Sequence, residues 1–376
     1  MSLLFRKLVL VAGLVFAGFT SSVFASGAEE GEGEKFNPGK LITGHITDAH
    51  DWHLWGEGHS AVSLPLPVIV YSSRGLDMFM SGSFHHGHQT YKGYAVKEGK
   101  IVAVKEMEEV PAESATIDEQ VTASLWDFSL TKNVVSLFIS LLIMIYVFVS
   151  VAKAYGKRKG QAPKGMQSLI EPLIIFVRDD IAKSSIGEKK YKKYLPYLLT
   201  VFFFIWINNL LGLIPIFPGG ANLTGSISIT MTLALITFLI VTFSGNKNYW
   251  HHIFAMPGVP SWVLVLLTPI EILGVFLRPF VLMIRLFANM IAGHIIALSF
   301  FCLIFIFGEM STGAGLGVSI VSIAFTVFMT CLELLVAFLQ AYVFTLLSAI
   351  YIGAAVEEHD HDTPHHDAKV EEALLV

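Results

Sequence analysis

The chain has 376 residues, 54% hydrophobic and 15% charged, where a soluble domain carries roughly 25% charged residues. That composition excludes an ordinary soluble protein and points to a polytopic membrane protein. A net charge of −5 provides no dense basic surface for phosphates, which excludes a nucleic-acid partner.

Residues 1–25 place Arg6 and Lys7 before the apolar run Leu8 to Phe19 and end in the small-residue stretch Val23-Phe24-Ala25. This is the layout of a cleavable secretory signal with a mature start near Ser26, and an uncleaved anchor is the alternative. In either case the following segment, 26–127, begins outside the cytoplasm as a periplasmic N-terminal region. Gly and Glu dominate 27–34, a flexible lead. A period-2 run from Ser60 to Val70 and a hairpin pattern from Tyr94 to Val104 then predict a small β-rich region. Its histidines (His45, His50, His53, His59, His85, His86, His88) lack ligand spacing and a partner cysteine, so they read as solvated surface residues. Cys302 and Cys331 both fall in apolar runs and read as packing residues, with no disulfide or metal site.

The first span is predicted over Val134 to Ala152, and the basic residues Lys153, Lys157, Arg158, Lys159 and Lys164 after it mark the cytoplasmic side. From Met166 to Ile181 apolar residues recur at helical spacing with Glu171, Arg178, Asp179, Asp180 and Lys183 opposite, an amphipathic surface helix with a bend at Pro172. Tyr197 to Phe217 and Thr224 to Thr242 are the next two spans. Ser261 to Phe307 and Gly317 to Ala354 hold 47 and 38 residues. Upright, these would reach ~70 Å and ~57 Å against a hydrocarbon core of ~30 Å. Each is two spans with a buried turn or one strongly tilted helix. The absence of a polar break favours two long tilted helices joined as a hairpin at Gly308–Gly313. The expected fold is therefore all-α and polytopic, with about five membrane-crossing helices over 128–356 and a His-rich acidic cytoplasmic tail over 357–376.

Between Tyr249 and Val356 full charge is carried by Glu271, Arg278, Arg285, Glu309 and Glu333 alone. A charge in the bilayer is expensive and faces a bundle interior or a wet cavity. Glu309 reads as snorkelling at a helix end and Arg278 fits that reading too; Arg285 and Glu333 do not. Glu271, Arg278 and Arg285 are spaced by seven and form one drifting stripe, and Ala288, Asn289 and Ala292 lie within ~60° of Arg285 on the helical wheel. Small residues around a charge admit another helix. His294 is nine residues on, about 180° round, and serves another surface. Glu333 and Gln340, also seven apart, share a face of the last helix. An imidazole and a carboxylate suit a proton path, because both change charge near neutral pH when burial or neighbours shift them.

The stretch Ile284-Arg285-Leu286-Phe287-Ala288-Asn289-Met290-Ile291-Ala292-Gly293-His294, with Leu339-Gln340-Ala341-Tyr342-Val343-Phe344 after it and Asn208-Asn209-Leu210-Leu211-Gly212-Leu213-Ile214-Pro215 before it, closely resembles subunit a of the F-type ATP synthases. The resemblance covers about 128–356. It implies a non-catalytic, proton-conducting stator in the cell inner membrane, beside a ring of c subunits and a b-subunit peripheral stalk, with two offset half-channels. By family match Arg285 faces the ring carboxylate, Asn289 lies one turn on and Gln340 is its neighbour. His294 and Glu333 are the periplasm-side pair, exchanged between helices relative to many bacterial members. Glu271 is the acid on the cytoplasmic outlet side, Arg278 a basic position near it, and Asn209 a polar position on an earlier helix.

The rival class is a secondary transporter of metal ions, motivated by the periplasmic histidines and the tail His359 to Asp367, although such a tail reads more simply as a solvated terminus and no internal repeat is present. No Gly-rich phosphate loop occurs, so the chain has no nucleotide site of its own, and the sequence implies no cofactor and no metal.

Overall fold

The computed structural model describes residues 38–357 apart from 56–61, 98, 158–159, 215–218 and 257–258. The signal segment, the Gly/Glu lead and the His-rich tail lie outside the described residues. The chain divides into two units, each taken by itself below: Met1–Ser168 with Phe203–Thr230 and Ile284–Ala341, and Leu169–Phe202 with Met231–Met283 and Tyr342–Val376.

In the first unit, α1 (Pro38–Ile46) opens on a proline, whose missing N–H is no loss at a helix start. Strands β1 (Asp51–Trp55) and β2 (Val62–Pro65) pair antiparallel; β3 (Pro67–Ser72) lies between β4 (Gly75–Met80) and β7 (Trp126–Asp127); β5 (Tyr94–Lys97) pairs with β6 (Lys100–Ala103). The period-2 run from Ser60 to Val70 divides between β2 and β3. Pro65 and Pro67 cannot donate to a ladder, and Leu66 between them turns inward, exchanging hydrogen bonds with Ser81 through its backbone at 2.9 Å. The core of this region gathers Val68, Val70, Phe84, Tyr94, Ile101 and Ala103. The Tyr94 hydroxyl donates to Asp77 at 3.0 Å inside it. A short helix α2 (Glu119–Ala123) is capped by Asp118, whose carboxylate accepts from the Val121 N–H and also pairs with Arg74 at 3.0 Å.

Five described helices are long and apolar enough to cross a membrane. They are α3 (Lys132–Lys157), α5 (Tyr191–Leu213), α6 (Ile227–Ser244), α8 (Ser261–Met310) and α9 (Thr312–Val356). Between α3 and α5 runs the amphipathic α4 (Met166–Phe176), which continues into a π-helical turn, Val177–Lys183. There Asp179 accepts from Arg178 at 2.9 and 2.7 Å and pairs with Lys183 at 2.9 Å, and these bonds hold its carboxyl well below the usual range. A short α7 (Lys247–Phe254) carries His251 and His252.

Helix α6 starts at Ile227, later than the expected Thr224, because Asn222 caps a 3-10 turn at Leu223–Gly225 with its side-chain oxygen on the Gly225 N–H. Helix α8 runs without a break through Pro269 and Pro279. Only Ser311 separates α8 from α9, so the expected loop Gly308–Gly313 is nearly absent. The tight join needs glycine: a Cβ on Gly315 would lie 2.8 Å from the Gly308 Cα. In the first unit Phe300 stacks on Phe325 at 5.0 Å between the two helices. In the second unit the C-terminal end of α9 is closed by Lys190 and Asn246, whose side chains donate to the Val356 carbonyl at 2.7 and 2.9 Å.

Two sequence expectations are corrected here. Cys302 is buried, but Cys331 is exposed on α9, so only the first is a packing residue. His50 is not a solvated surface histidine: it is 8% exposed and its Nε2 donates to Asp127 at 3.0 Å. Oxygens of Thr47, Asp48 and Ala49 accept from Lys132 and Asn133, which ties the chain beside His50 to residues more than 80 positions on; the local sequence gives no hint of that.

Candidate functional site

Helix α8 is apolar almost throughout, and that pattern makes its few polar side chains legible. In the first unit, Arg285, Ala288, Asn289 and Ala292 are all exposed and form one face. Among the described residues no side chain pairs with Arg285. Asn289 sits one turn on, and its Nδ2 donates to Gln340 Oε1 on α9 at 2.9 Å. Gln340 itself is 3% exposed, so this contact lies at the edge between an open face and a packed one.

One turn further, α9 lies against Gly293. A Cβ there would meet Glu333 Oε1 at 2.7 Å and its Cγ at 3.2 Å, so any larger residue would displace this carboxylate. His294 Nδ1 stands 3.9 Å from Glu333 Oε1, beyond hydrogen-bond distance but within electrostatic contact. On the other side of the imidazole is α5, where a Cβ on Gly212 would lie 3.9 Å from His294 Nε2. His294 Nε2 and Glu333 Oε1 are buried atoms without a hydrogen-bond partner among the described residues. Burying such a group unpaired costs about 1–3 kcal/mol, so this pair is a local cost to stability. Lys132, buried at the root of α3, is within electrostatic reach of His294.

Asn209 is fully buried, and both ends of its amide are occupied: Nδ2 donates to the Ala337 carbonyl at 3.2 Å and Oδ1 accepts from Thr224 at 2.6 Å. It fixes α5 to α9 one turn from Gln340. In the second unit the remaining pair of predicted residues surrounds Tyr249. Arg278 stacks over the Tyr351 ring at 5.6 Å, and the two line a small cavity with Tyr249 and Thr237. Burial pushes the Tyr249 hydroxyl up, opposed by Arg278 and reinforced by Glu271, so both charges act on it.

The structure therefore brings Arg285, Asn289 and Gln340 into one neighbourhood of the first unit, with His294 and Glu333 across the Asn289–Gly293 line on which α9 packs. Glu271 and Arg278 belong to the second unit. Sequence reasoning gave no role of their own to Gly293, Gly212, Tyr249 and Tyr351. The glycines had a signal, small residues beside titratable ones in an apolar run; the tyrosines had none, because their partner is far along the chain.

An unpaired arginine on an open helix face, a buried imidazole facing a carboxylate and five long apolar helices define a polytopic membrane protein with an ionisable site in its apolar core. The family model described as ATP synthase A chain matches residues 134–353, and a domain of unknown function (DUF8433) matches 41–128. ATP synthase subunit a 2 of Chlorobaculum tepidum is 47% identical over 247 residues, covering 64% of this chain and 67% of that protein. ATP synthase subunit a of Chloroherpeton thalassium is 43% identical over 247 residues (64% and 71%), and that of Myxococcus xanthus 40% over 251 residues (64% and 78%). The chain belongs to the ATP synthase A chain family, which makes it a component of the ATP synthase complex. The metal-ion transporter reading finds no support in these matches.

Proposed function

We propose that this chain is the proton-conducting stator subunit of Fo, loading and unloading the carboxylates of a c-subunit ring through two offset half-channels. The observation that carries the reading is Arg285: a permanent charge, unpaired among the described residues, on an exposed face of small residues. A guanidinium cannot lose its proton below pH ~12, so it cannot relay one. It repels protons and attracts a deprotonated ring carboxylate by about 4 kcal/mol at ~4 Å with an effective dielectric near ~20. Protons then travel on the ring, and each charge crossing ~100 mV supplies ~2.3 kcal/mol for rotation.

His294 and Glu333 serve the periplasmic inlet. Their unpartnered buried atoms suit groups that exchange protons with water in a half-channel. Glu271 and Arg278, around Tyr249, serve the cytoplasmic outlet. Asn289 and Gln340 hold the polar edge beside Arg285, and Asn209 positions α5 against α9. The five long helices cross the inner membrane of a bacterium, α8 and α9 as a strongly tilted hairpin, because their lengths exceed an upright span. The N-terminal region is periplasmic after a signal segment at 1–25 and the C-terminus cytoplasmic, with a b-subunit peripheral stalk as a further partner.

The test is Arg285→Ala in the assembled synthase in proteoliposomes. Proton-driven ATP synthesis is expected to vanish while nucleotide hydrolysis by the detached soluble sector persists. Normal proton-driven synthesis by this variant would overturn the reading.

A further inference from the structure

The sheet β4–β3–β7 presents one face to the core and a second that no other described residue covers. Its register pairs Pro67 with Met80, Ile69 with Met78, and Tyr71 with both Leu76 and Trp126. Opposed residues of an antiparallel pair share a face. Val68, Val70 and Phe79 point to the core. On the other side Tyr71 is 54% exposed, Leu76 61%, Met78 60%, Met80 46% and Trp126 65%. Phe128, 60% exposed, extends the face by stacking on Trp126 at 6.4 Å. That face carries no charged side chain. Antiparallel sheets with one wet side alternate apolar-in with polar-out, so an apolar outer side marks a surface that another apolar phase covers.

The occupant follows from where the sheet is held. Phe128 N–H donates to the Ile69 carbonyl at 2.9 Å, Leu130 N–H to that of Pro67 at 3.0 Å, and Ile69 N–H to Ser129 Oγ at 3.1 Å. Strand β3 is thus bonded to the residues that lead directly into α3. A second clamp lies beside it: Lys132 donates through its backbone N–H to the Ala49 carbonyl at 2.9 Å and through Nζ to that of Thr47 at 3.2 Å, and Asn133 N–H donates to Asp48 Oδ1 at 3.0 Å. The sheet is fixed to the root of an apolar helix and does not swing on a linker. From Phe128 to Val134 the chain reaches at most ~20 Å, so the aromatic edge stays near the level where α3 enters the hydrocarbon. Tyr and Trp favour that level, where an apolar ring meets a wet polar tip. Helix α3 leaves Phe138, Leu142, Ile145 and Tyr146 exposed, an apolar surface that continues along the same helix.

We propose that the outer face of β4–β3–β7 docks on the lipid bilayer, with Leu76, Met78, Tyr71, Trp126 and Phe128 at the headgroup–acyl boundary of the leaflet in which α3 begins. The N-terminal region is then seated on the membrane and fixes the root of α3, and with it Lys132, relative to the bilayer.

The experiment uses the full chain with Cys302→Ala and Cys331→Ala, one introduced cysteine carrying an environment-sensitive fluorophore, and phosphatidylcholine vesicles containing shallow spin-labelled lipid. Met78→Cys reports the face, and Lys100→Cys, at the exposed first residue of β6, is the aqueous reference. The fluorophore at position 78 is expected to be quenched by the shallow spin label and to show several-fold weaker quenching by aqueous iodide than at position 100. Adding Leu76→Glu and Met80→Glu is expected to restore iodide access. Iodide access at position 78 equal to that at position 100, without lipid quenching, overturns the proposal. Protection from iodide confined to the assembled synthase, again without lipid quenching, assigns the face to a protein subunit and overturns it equally.

Discussion

Gly293→Ala separates a role for the His294–Glu333 pair in proton transfer from a role in holding α8 and α9 together. The new methyl carbon would stand 2.7 Å from Glu333 Oε1, where ordinary contact begins at 3.4 Å, so the carboxylate must retreat by about 0.7 Å. The atom that must move is the far end of a flexible side chain, which puts the packing cost at or below the low end of the ~1–3 kcal/mol seen for overpacking. The functional cost is different in kind. The imidazole and carboxylate already stand 3.9 Å apart, and a misplacement of ~1 Å between reacting groups costs on the order of 10²-fold. Proton flux through Fo in proteoliposomes, followed with a pH-sensitive dye under an imposed potential, is expected to fall ~10–100-fold while the synthase assembles and melts as the parent does. Combining Gly293→Ala with Glu333→Asp, which shortens the side chain by one methylene, is expected to recover part of the flux. Parental flux in Gly293→Ala, or a loss explained wholly by failed assembly, would refute the reasoning.

Other consequences are smaller and separable. Gln340→Leu removes the acceptor of the Asn289 amide, but Asn289 is exposed and can bond to water, so thermal unfolding in detergent should register about 0.5–1.5 kcal/mol; a loss several times larger would mean Gln340 carries packing that its one hydrogen bond does not describe. His50→Ala removes the donor to Asp127 Oδ2 while Oδ1 keeps the Ser129 N–H, and a cost of about 1–3 kcal/mol is expected near neutral pH. Burial pushes the Asp127 carboxyl up, but hydrogen bonds from His50 and Ser129 outweigh it and the net shift is downward. A lowered folded value means the contribution is present above the unfolded value of ~3.9 and is lost as pH falls through the folded one, so the gap between variant and parent should close below pH ~4. A gap that widened on acidification would contradict the assignment. Tyr351→Leu removes the ring under Arg278 and is expected to destabilise by about 0.5–2 kcal/mol, whereas Tyr351→Phe keeps the ring and should cost less; equal losses in the two would refute the stacking argument.

Much of the membrane part was legible before any coordinates, because apolar runs longer than a bilayer is thick, and charges that lipid does not tolerate, are properties read along the chain. The expected spans from Val134, Tyr197, Thr224, Ser261 and Gly317 each fall on a long helix, with boundaries moved by caps such as Asn222 and by basic ends that join the helix, as Tyr191 to Lys193 do at the start of α5. The wheel position of Ala288, Asn289 and Ala292 around Arg285 anticipated an open face for the same reason: helical angles depend only on spacing.

What lay beyond the sequence depends on partners far away in it. His50 looked like any polar-stretch histidine until Asp127, 77 residues on, was seen to hold it. Cys331 sat in an apolar run like Cys302, yet one side of a helix packs and the other does not, and run composition cannot distinguish them. The alternation from Ser60 to Val70 did not show where one strand ends and the next begins, because two prolines interrupt hydrogen bonding even where side-chain alternation persists. Asn209 reached Ala337 across 128 residues, which turned a polar helix position into a fastening.

By itself, then, the sequence determined that this protein lives in a bilayer, that Arg285 is the charge the apolar helices must accommodate, and that His294 and Glu333 are titratable groups held in apolar surroundings. Tertiary structure alone decided that Glu333 lies against Gly293 beside His294, that Asn289 reaches Gln340 and that an apolar sheet face is fixed at the root of α3. The reason is physical: hydrophobic length and helical angle are set by neighbours a few residues away, whereas contact between helices is set by which small residue leaves space for which distant side chain.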